Sequence, residues 1–457
     1  MRAHERRSTA RVVMAGLAVT GATATVILWW RAEGGSPGGG LGGSALALSL
    51  GRLAGLLAGS TLIGQLFLAA RIPVLERWVG LDGLLGWHRR NGAVLVTLVA
   101  LHATLVIAAS QRLFDLSSLW QALQTLMCTR PGVTLTVVAG ALIGLIGFLS
   151  LRLVRSRLPY EAWYWVHLSA YAAVALTVPH QLCSGSTFVA VPAARPIWLG
   201  AYCMAAAAFI GFRWVLPLVR AVRHRMRVAS VDDETPDVAS LLVKGRRLDA
   251  LPARPGQFYV WRFLTRGHWW RPHPFSLSAA PSADAMRITV QAAGTGTRRL
   301  VHDVRPGTLI AAEGPYGVFT AEACRGDGVL LVGAGVGITP LRALAESIDD
   351  RGGVILLHRS RTREDALFQQ EFAALAQRHA LDLHLLVGPR RCSGSWLPDL
   401  AEARGLSDDE VLCSLVPDVV RRDTFVCGPP QWALLVRRSL RRVGVPASLV
   451  HLERFSW

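Results

Sequence analysis

Lysine is nearly absent from this 457-residue sequence: of its 49 basic side chains, all but Lys244 are arginine. With 31 acidic residues, the formal net charge is +18. A charge of that size first suggests nucleic-acid binding. Much of the arginine, however, flanks long hydrophobic runs, where the positive-inside rule accounts for it, so no nucleic-acid partner is expected. Cysteine is scarce, seven residues with no CxxC, and nothing in the spacing indicates an iron–sulfur cluster or a zinc site. Cys128 and Cys183 are both expected on the external side, where a disulfide between them stays open. The other five read as small hydrophobes. Also missing is a small-residue cleavage site after the first apolar run, Val12 to Trp30. Trp29, Trp30 and Arg31 form an interfacial ending instead, so this run reads as a retained span rather than a signal peptide. No internal repeat is present.

What is present falls into two halves. The first reads as six membrane spans. They are Val12 to Trp30, Ala45 to Ala70, a third opening at His88, Val133 to Leu151, a fifth holding His167 and His180, and Ile197 to Val219. The segment EGGSPGGGLGGS reads as a flexible external loop. Arginine-rich stretches (RIPVLERWVGLDGLLGWHRR, RLVRSR and RAVRHRMR) mark the inner loops. They place both termini and the second half in the cytoplasm, at a cell membrane. The loop from Ser110 to Gly132 is long enough to suspect a cap over an outer site.

Imidazole within a lipid-spanning segment is costly to desolvate and marks a functional site. His88 and His102 are 14 residues apart, about 21 Å along a helix axis at ~1.5 Å per residue. Fourteen steps of ~100° bring both rings to within ~40° of one face. His167 and His180 are 13 apart, a spacing that swings the rings apart on an ideal helix; Pro179 supplies a kink that restores alignment. Both helices run in the same direction, so His88 pairs with His167 and His102 with His180. Two stacked bis-imidazole sites suit two b-type haems. Four unrelated polar residues facing a bundle interior are the plainer alternative, and they leave the matched spacing unaccounted for. Arg89 and Arg90 read equally as haem-propionate partners or as inner-face topology charges.

From about Met226 the pattern changes to short alternating runs, VASLLVKG, GQFYVWRFL, MRITVQA and TLIAAEG, which predict a small antiparallel barrel. From about Asp327 strands alternate with helices (GVLLVG, GVILLH, LDLHLLV, DTFVCG, SLVHLERF), the pattern of a parallel sheet wound with helices. Within the barrel, RPHPFSLS (Arg271 to Ser278) combines cationic groups, an aromatic ring and hydroxyls, the parts needed to hold a flavin: charge for the pyrophosphate, a ring to stack and a hydroxyl near the reactive ring nitrogen. Gly294 and Thr297 in GTGT offer phosphate contacts. Each segment alone reads as well as a strand end or a turn. Gly333, Gly335 and Gly337, followed by Thr339 and Pro340, come after a strand and open a helix, as a dinucleotide site requires. Arg359 and Arg361 close the next strand, where arginine pairs with a 2′-phosphate and tilts the choice toward NADPH over NADH; a solvated charged loop is the alternative.

HPFSLS, GAGVGITP, Cys427-Gly428-Pro429-Pro430 and the two histidine pairs together resemble the ferric reductase and NADPH oxidase superfamily. The resemblance covers nearly the whole chain. It implies a multi-domain membrane protein with an all-α six-helix transmembrane haem domain (1–224), an antiparallel β-barrel FAD domain (225–322) and an α/β parallel-sheet NAD(P)-binding domain (323–457). It places His273, Pro274, Phe275 and Ser276 at FAD and Cys427, Gly428 and Pro429 near the nicotinamide. It also implies a terminal aromatic stacked on the flavin; Glu453-Arg454-Phe455 matches that ending, with Trp457 a competitor for the role. The chain departs from the family at Gln291, where many relatives carry a basic residue that Arg271 or Arg298 replaces here. Calcium-binding EF-hand loops of some relatives are missing.

The expected route is a hydride from NAD(P)H to FAD, then single electrons to the inner haem (His88, His167), to the outer haem (His102, His180), and to an external acceptor. With histidine on both sides of the iron, the acceptor is reduced at the haem edge. Dioxygen, giving superoxide, leads. A ferric chelate uses the same wiring, and Arg112, Arg130 and Arg195 suit either anion. A haem subunit serving a separate extracytoplasmic partner protein is a third reading. A transporter with a regulatory nucleotide domain leaves the histidine spacing unexplained.

Overall fold

The computed structural model describes residues 3–37, 42–348, 353–378, 381–399 and 405–453. Two compact units emerge. One comprises Ser8–Leu75 and Leu81–Arg213; the other comprises Glu76–Gly80, the described residues from Trp214 onward and the described residues up to Arg7.

The first unit is helical. Its long helices are Ala3–Ala32, Gly43–Ala69, Leu81–Leu113, Val133–Leu149, Tyr160–Cys183 and Ala194–Ile210. By length and composition, Val12–Ala32, Gly43–Ala69, Leu81–Leu113 and Ala194–His224 are each able to cross a membrane, and Val133–Leu149 is a shorter apolar helix. Tyr160–Cys183 is long enough, but its tyrosines, tryptophans and histidines keep it less apolar. Large apolar side chains point outward along these helices, among them Leu17, Val94, Phe148 and Ile197. Such an apolar exterior is costly in water and suited to lipid. Glycines let the helices approach closely. A Cβ on Gly51 would lie 3.0 Å from Val106, and one on Gly147 would lie 3.0 Å from Val96.

The long loop expected between Ser110 and Gly132 contains its own helix, Leu119–Thr129, begun by Ser118, whose hydroxyl accepts from the Gln121 amide at 3.1 Å. Cys128 and Cys183 are free thiols, so the disulfide left open above is not formed.

The second unit begins with two three-stranded antiparallel sheets. Strands β1 (Arg227–Thr235), β2 (Val238–Lys244) and β5 (Ala285–Gln291) form one, in the order β1-β2-β5. Strands β4 (His273–Ser276), β3 (Phe258–Phe263) and β6 (Ile310–Tyr316) form the other, in the order β4-β3-β6. Single bridges, Arg227 to Leu309 and Leu277 to Ile288, link them. Alternate residues of β5 face inward, and Tyr259, Trp261, Phe263, Leu277, Met286 and Ile288 fill the space between the sheets. Strand β4 was not expected. Pro274 is tolerated there because β4 is the edge of its sheet.

The remaining strands are parallel: β7 (Gly328–Ala334), β8 (Val354–Ser360), β9 (Leu381–Val387), β10 (Arg422–Cys427) and β11 (Val450–Glu453), in the order β11-β10-β7-β8-β9. β7 and β10 are buried at every position, as central strands covered on both faces are. The chain winds one way from β7 to β9 and the other way from β10 to β11. The order therefore reverses between β7 and β10, and a ligand-binding crevice opens at the carboxyl ends of strands at such a point.

Candidate functional site

The four membrane histidines pair by level. The His88 and His167 ring centres lie 6.0 Å apart at an interplanar angle of 62°, and those of His102 and His180 lie 6.2 Å apart at 54°. An imidazole nitrogen binds a transition metal at about 2 Å; two such bonds plus two ring radii span about 6 Å. The separation of the rings in each couple is therefore that needed for one metal between them. No group of three or more His, Cys, Asp or Glu able to hold a metal occurs among the described residues. A metal held here by two protein ligands takes its remaining ligands from elsewhere, as a haem iron does from its macrocycle.

Their surroundings fit that use. One of the four has the outer hydrogen bond usual for a ligating imidazole; Nδ1 of His88, His167 and His180 is buried with no hydrogen-bond partner among the described residues. Nδ1 of His102 bonds the Gly51 carbonyl at 2.8 Å, which makes it the donor nitrogen and leaves Nε2 unprotonated and able to bind a metal. Gly55 provides the room: a Cβ there would lie 2.7 Å from His102 Nδ1. The His88 carbonyl accepts from Gln65 Nε2 at 3.0 Å, and Asn91 Nδ2 donates to Gln65 Oε1 at 2.8 Å, so the helix turn carrying His88 is pinned. Pro179 lies inside the helix one residue before His180. Gly132, at φ +76°, packs so close that a Cβ would lie 2.7 Å from the His180 amide nitrogen. Gln181 accepts from Trp198 Nε1 at 2.9 Å and from the Tyr202 hydroxyl at 3.1 Å. Neither the glycines nor Gln65 and Gln181 carry a sequence signal of their own. Arg112, Arg130 and Arg195 are exposed.

In the second unit the structure brings together two segments that the sequence offered separately. A guanidinium nitrogen of Arg271 lies 3.7 Å from where a Cβ on Gly296 would sit, so Arg271 faces the start of the Thr295–Asp303 helix. A cation beside helix amide groups suits a pyrophosphate. The Thr297 hydroxyl is engaged locally, accepting from the Gly294 amide at 3.1 Å, so it closes the turn and occupies that amide. On β4, His273 is buried and its Nε2 has no partner; the same is true of Ser276 Oγ. Burial, then His268, Arg271 and Arg262 nearby, pushes the His273 pKa down to about 4, so it is neutral at pH 7. Phe275 lies parallel to His273, ring centres 5.8 Å apart. Buried polar atoms with no partner among the described residues, on one edge strand that follows Arg271, fit a flavin nucleotide.

At the crevice between β7 and β10, Gly337 touches Cys427 and Gly428. A Cβ on Gly337 would lie 2.5 Å from the Cys427 carbonyl oxygen and 2.6 Å from the Gly428 Cα. Gly333 is equally confined, by Ile338 at 2.6 Å. Gly335, at φ +55°, instead lines a cavity of about 650 Å³ with Ala334, Val336, Arg359, Arg361, Arg390, Pro429 and Trp432. Gln291 lines it too. Thr339 and Pro340 are buried in the helix, with Thr339 Oγ1 donating to the Val336 carbonyl at 2.9 Å, so they shape the loop from behind.

The two arginines after β8 differ. Arg359 donates to the carbonyls of Ser360 and Gly388, the latter at 2.8 Å. It is thus a strut between strand ends. Arg361 is exposed, and Arg390, which the motif reading missed, joins it from the far end of β9. Burial, with Arg390 and Arg361 nearby, lowers the Arg359 pKa. Cys427 is fully buried, and burial, with Glu453 nearby, holds its thiol well above the usual range, so it remains protonated. Phe455 and Trp457, the candidates for a stacked terminal ring, lie outside the described residues.

Residues 54–178 match the family described as "Ferric reductase like transmembrane component", and residues 331–438 match "Oxidoreductase NAD-binding domain". Among curated proteins, the ferredoxin reductase component of 3-ketosteroid-9-alpha-monooxygenase from Rhodococcus rhodochrous is 29% identical, over 50% of this chain and 64% of its own. The flavohemoprotein of Chromobacterium violaceum is 32% identical, over 50% of this chain and 59% of its own. An NADPH oxidoreductase of Mycobacterium tuberculosis is 32% identical, over 52% and 62%. The chain thus spans less than two thirds of these relatives. Among solved structures, the FAD/NAD-binding domain of nitric oxide dioxygenase from Vibrio cholerae is 24% identical, over 50% of this chain and 98% of its own, with a TM-score of 0.41. One polypeptide here carries both a ferric-reductase-like transmembrane component and an oxidoreductase NAD-binding domain, and that fusion is the architecture of the ferric reductase and NADPH oxidase superfamily.

Proposed function

We propose that this chain is a transmembrane NAD(P)H oxidoreductase that moves electrons outward across a cell membrane. In this reading 1–224 is a six-span haem domain, 225–322 an FAD domain and 323–457 an NAD(P) domain, with both termini cytoplasmic. His88 and His167 hold the inner haem, and His102 and His180 hold the outer one. Arg271, His273, Pro274, Phe275, Ser276 and the Gly294–Thr297 turn hold FAD. Gly333, Gly335, Gly337, Thr339 and Pro340 form the nucleotide loop, with Cys427, Gly428 and Pro429 at the nicotinamide end. Phe455 or Trp457 covers the flavin ring. FAD supplies the conversion of a two-electron hydride donor into the single electrons that haem iron accepts.

The single observation that carries the reading is the pair of facing imidazole couples, each about 6 Å between ring centres. Arg361 and Arg390 on the nucleotide cavity favour NADPH over NADH, because a 2′-phosphate neutralises cations that otherwise repel. Arg359, tied to two carbonyls, supports the loop and leaves the phosphate to the other two.

The external acceptor is dioxygen, reduced to superoxide; a ferric chelate is the second reading, favoured by the family match over residues 54–178. A separate extracytoplasmic acceptor protein is the third. The test uses purified full-length protein in detergent, given NADPH or NADH, with haem absorbance followed before acceptor reduction. Two b haems per chain and their reduction by NADPH support the reading; a colourless chain that stays so with added hemin overturns it. Cytochrome c reduction abolished by superoxide dismutase selects dioxygen, and chelate reduction insensitive to that enzyme selects iron.

A further inference from the structure

The two imidazole couples are not equivalent. Trp163, one helical turn before His167, lies flat against its ring, with centres 4.7 Å apart and planes 20° from parallel. The Arg155 guanidinium carbon sits 4.8 Å from the centre of the same indole. Trp163 Nε1 lies 3.4 Å from Ser150 Oγ, so the indole is held at its edge as well as its face. Among the described residues, none of the other three imidazoles stacks on a tryptophan, tyrosine or phenylalanine. His102 is instead held through a ring nitrogen, by the Gly51 carbonyl.

We propose that Trp163 is a positioning residue for His167, and that with Arg155 it sets the redox potential of the inner site separately from the outer one. This rests on the haem reading above. Parallel contact fixes the plane of the imidazole, and the orientation of an axial ring is among the protein's means of tuning a haem. A cation over an aromatic face draws density toward itself. Transmitted through the stack, it weakens donation from His167 to iron. Positive charge nearby also disfavours the more positive, oxidised iron. Both effects raise the potential of the site that Trp163 touches. At the other site, a hydrogen bond from His102 to a carbonyl strengthens donation and acts in the opposite sense.

The experiment is potentiometric titration of haem absorbance, with low-temperature paramagnetic resonance, on full-length wild type, Trp163→Phe, Trp163→Leu and Arg155→Gln, each with haem per chain measured first. The expected result is that Trp163→Leu moves one of two potential waves and one of two low-spin signals. Trp163→Phe keeps the wild-type pattern, and Arg155→Gln lowers the same wave. Loss of one haem in Trp163→Leu that Trp163→Phe restores also supports the assignment. Two haems in Trp163→Leu with both waves and both signals unmoved overturn it, as does equal haem loss in Phe and Leu variants. Wild type without two haems overturns the haem reading itself, and the assignment falls with it.

Discussion

Gly55 has no side chain, and the space where one would stand belongs to His102. A Cβ at this position would lie 2.7 Å from Nδ1 and 2.8 Å from Cε1 of the imidazole. The ring has little room to yield, because the same nitrogen bonds the Gly51 carbonyl. Gly55→Ala is therefore expected to expel or tilt His102, at a cost of about 1–3 kcal/mol typical of overpacking. Haem content falls from two toward one per chain while bound FAD is unchanged, measured by pyridine haemochrome and flavin fluorescence. Gly140→Ala is the control, since nothing lies within 4 Å of a Cβ there. Equal haem content in the two variants would refute the placement of His102.

A second residue-scale expectation concerns pH. His273 is held near a pKa of 4 by burial and neighbouring cations, against an ordinary 6.5. Between those values the unfolded chain binds more protons than the folded one, so stability is complete above about 6.5 and declines as pH falls toward 4. At pH 5 the loss is at most roughly 2 kcal/mol for this one histidine. Flavin release on heating should occur at lower temperature at pH 5 than at pH 7, and the difference should shrink in His273→Gln. An unchanged difference in that variant would assign the pH dependence to other groups.

The elements show where residue patterns suffice and where they do not. Strands β2, β3, β5 and β6 coincide with short apolar runs; β5 and β6 alternate in burial over part of their length, whereas β2 and β3 are buried at nearly every position. All five parallel strands were visible as short apolar runs, the central β7 and β10 because both of their faces are covered. β1 was not, since the acidic run Asp232-Asp233-Glu234 breaks the alternation, with Asp232 and Asp233 exposed and Glu234 accepting from the Ser240 hydroxyl. β4 was hidden by Pro274 and by its length of four residues. The histidine pairing was legible because helical phase is arithmetic. The partners that orient the rings were not, because Gly51, Gly55 and Trp163 become informative only once helices are packed.

Contacts between elements also carry energy that no motif records. Arg287 on β5 holds Glu371 through both carboxylate oxygens, at 2.7 and 2.9 Å, and Arg342 approaches the same carboxylate at 2.6 Å. Burial alone would raise the Glu371 pKa, yet the two guanidiniums hold it below the usual range. Glu371→Gln removes the charge between half-buried Arg287 and buried Arg342, of which Arg342 keeps Glu346 as a partner. It is expected to lower unfolding stability by about 1–3 kcal/mol, less than the 3–5 of a fully buried pair because the groups are partly solvated. Denaturant unfolding followed by flavin fluorescence checks this, and an unaltered midpoint would show the network to be energetically idle.

At the scale of the whole molecule, the proposed order of carriers makes partial function predictable. The residues proposed to hold nucleotide and flavin belong to the second unit, and all four imidazoles belong to the first. A change at the outer couple should therefore leave the nucleotide-dependent step intact and remove only the last transfer. His102→Leu deletes one ligand of that couple and leaves His180 facing an apolar side chain. In this variant NADPH should still reduce a soluble dye that accepts electrons at the flavin, at a rate within about twofold of wild type. Reduction of the external acceptor should fall by at least an order of magnitude, because electron hopping across the missing centre spans the roughly 21 Å that separates the two histidine levels along the helix. Haem absorbance should drop to one per chain, and the remaining haem should still be reduced by NADPH. If His102→Leu retained acceptor reduction with one haem, the terminal donor would lie elsewhere and the outward order would be wrong. If it lost dye reduction as well, the two units would not be separable in function.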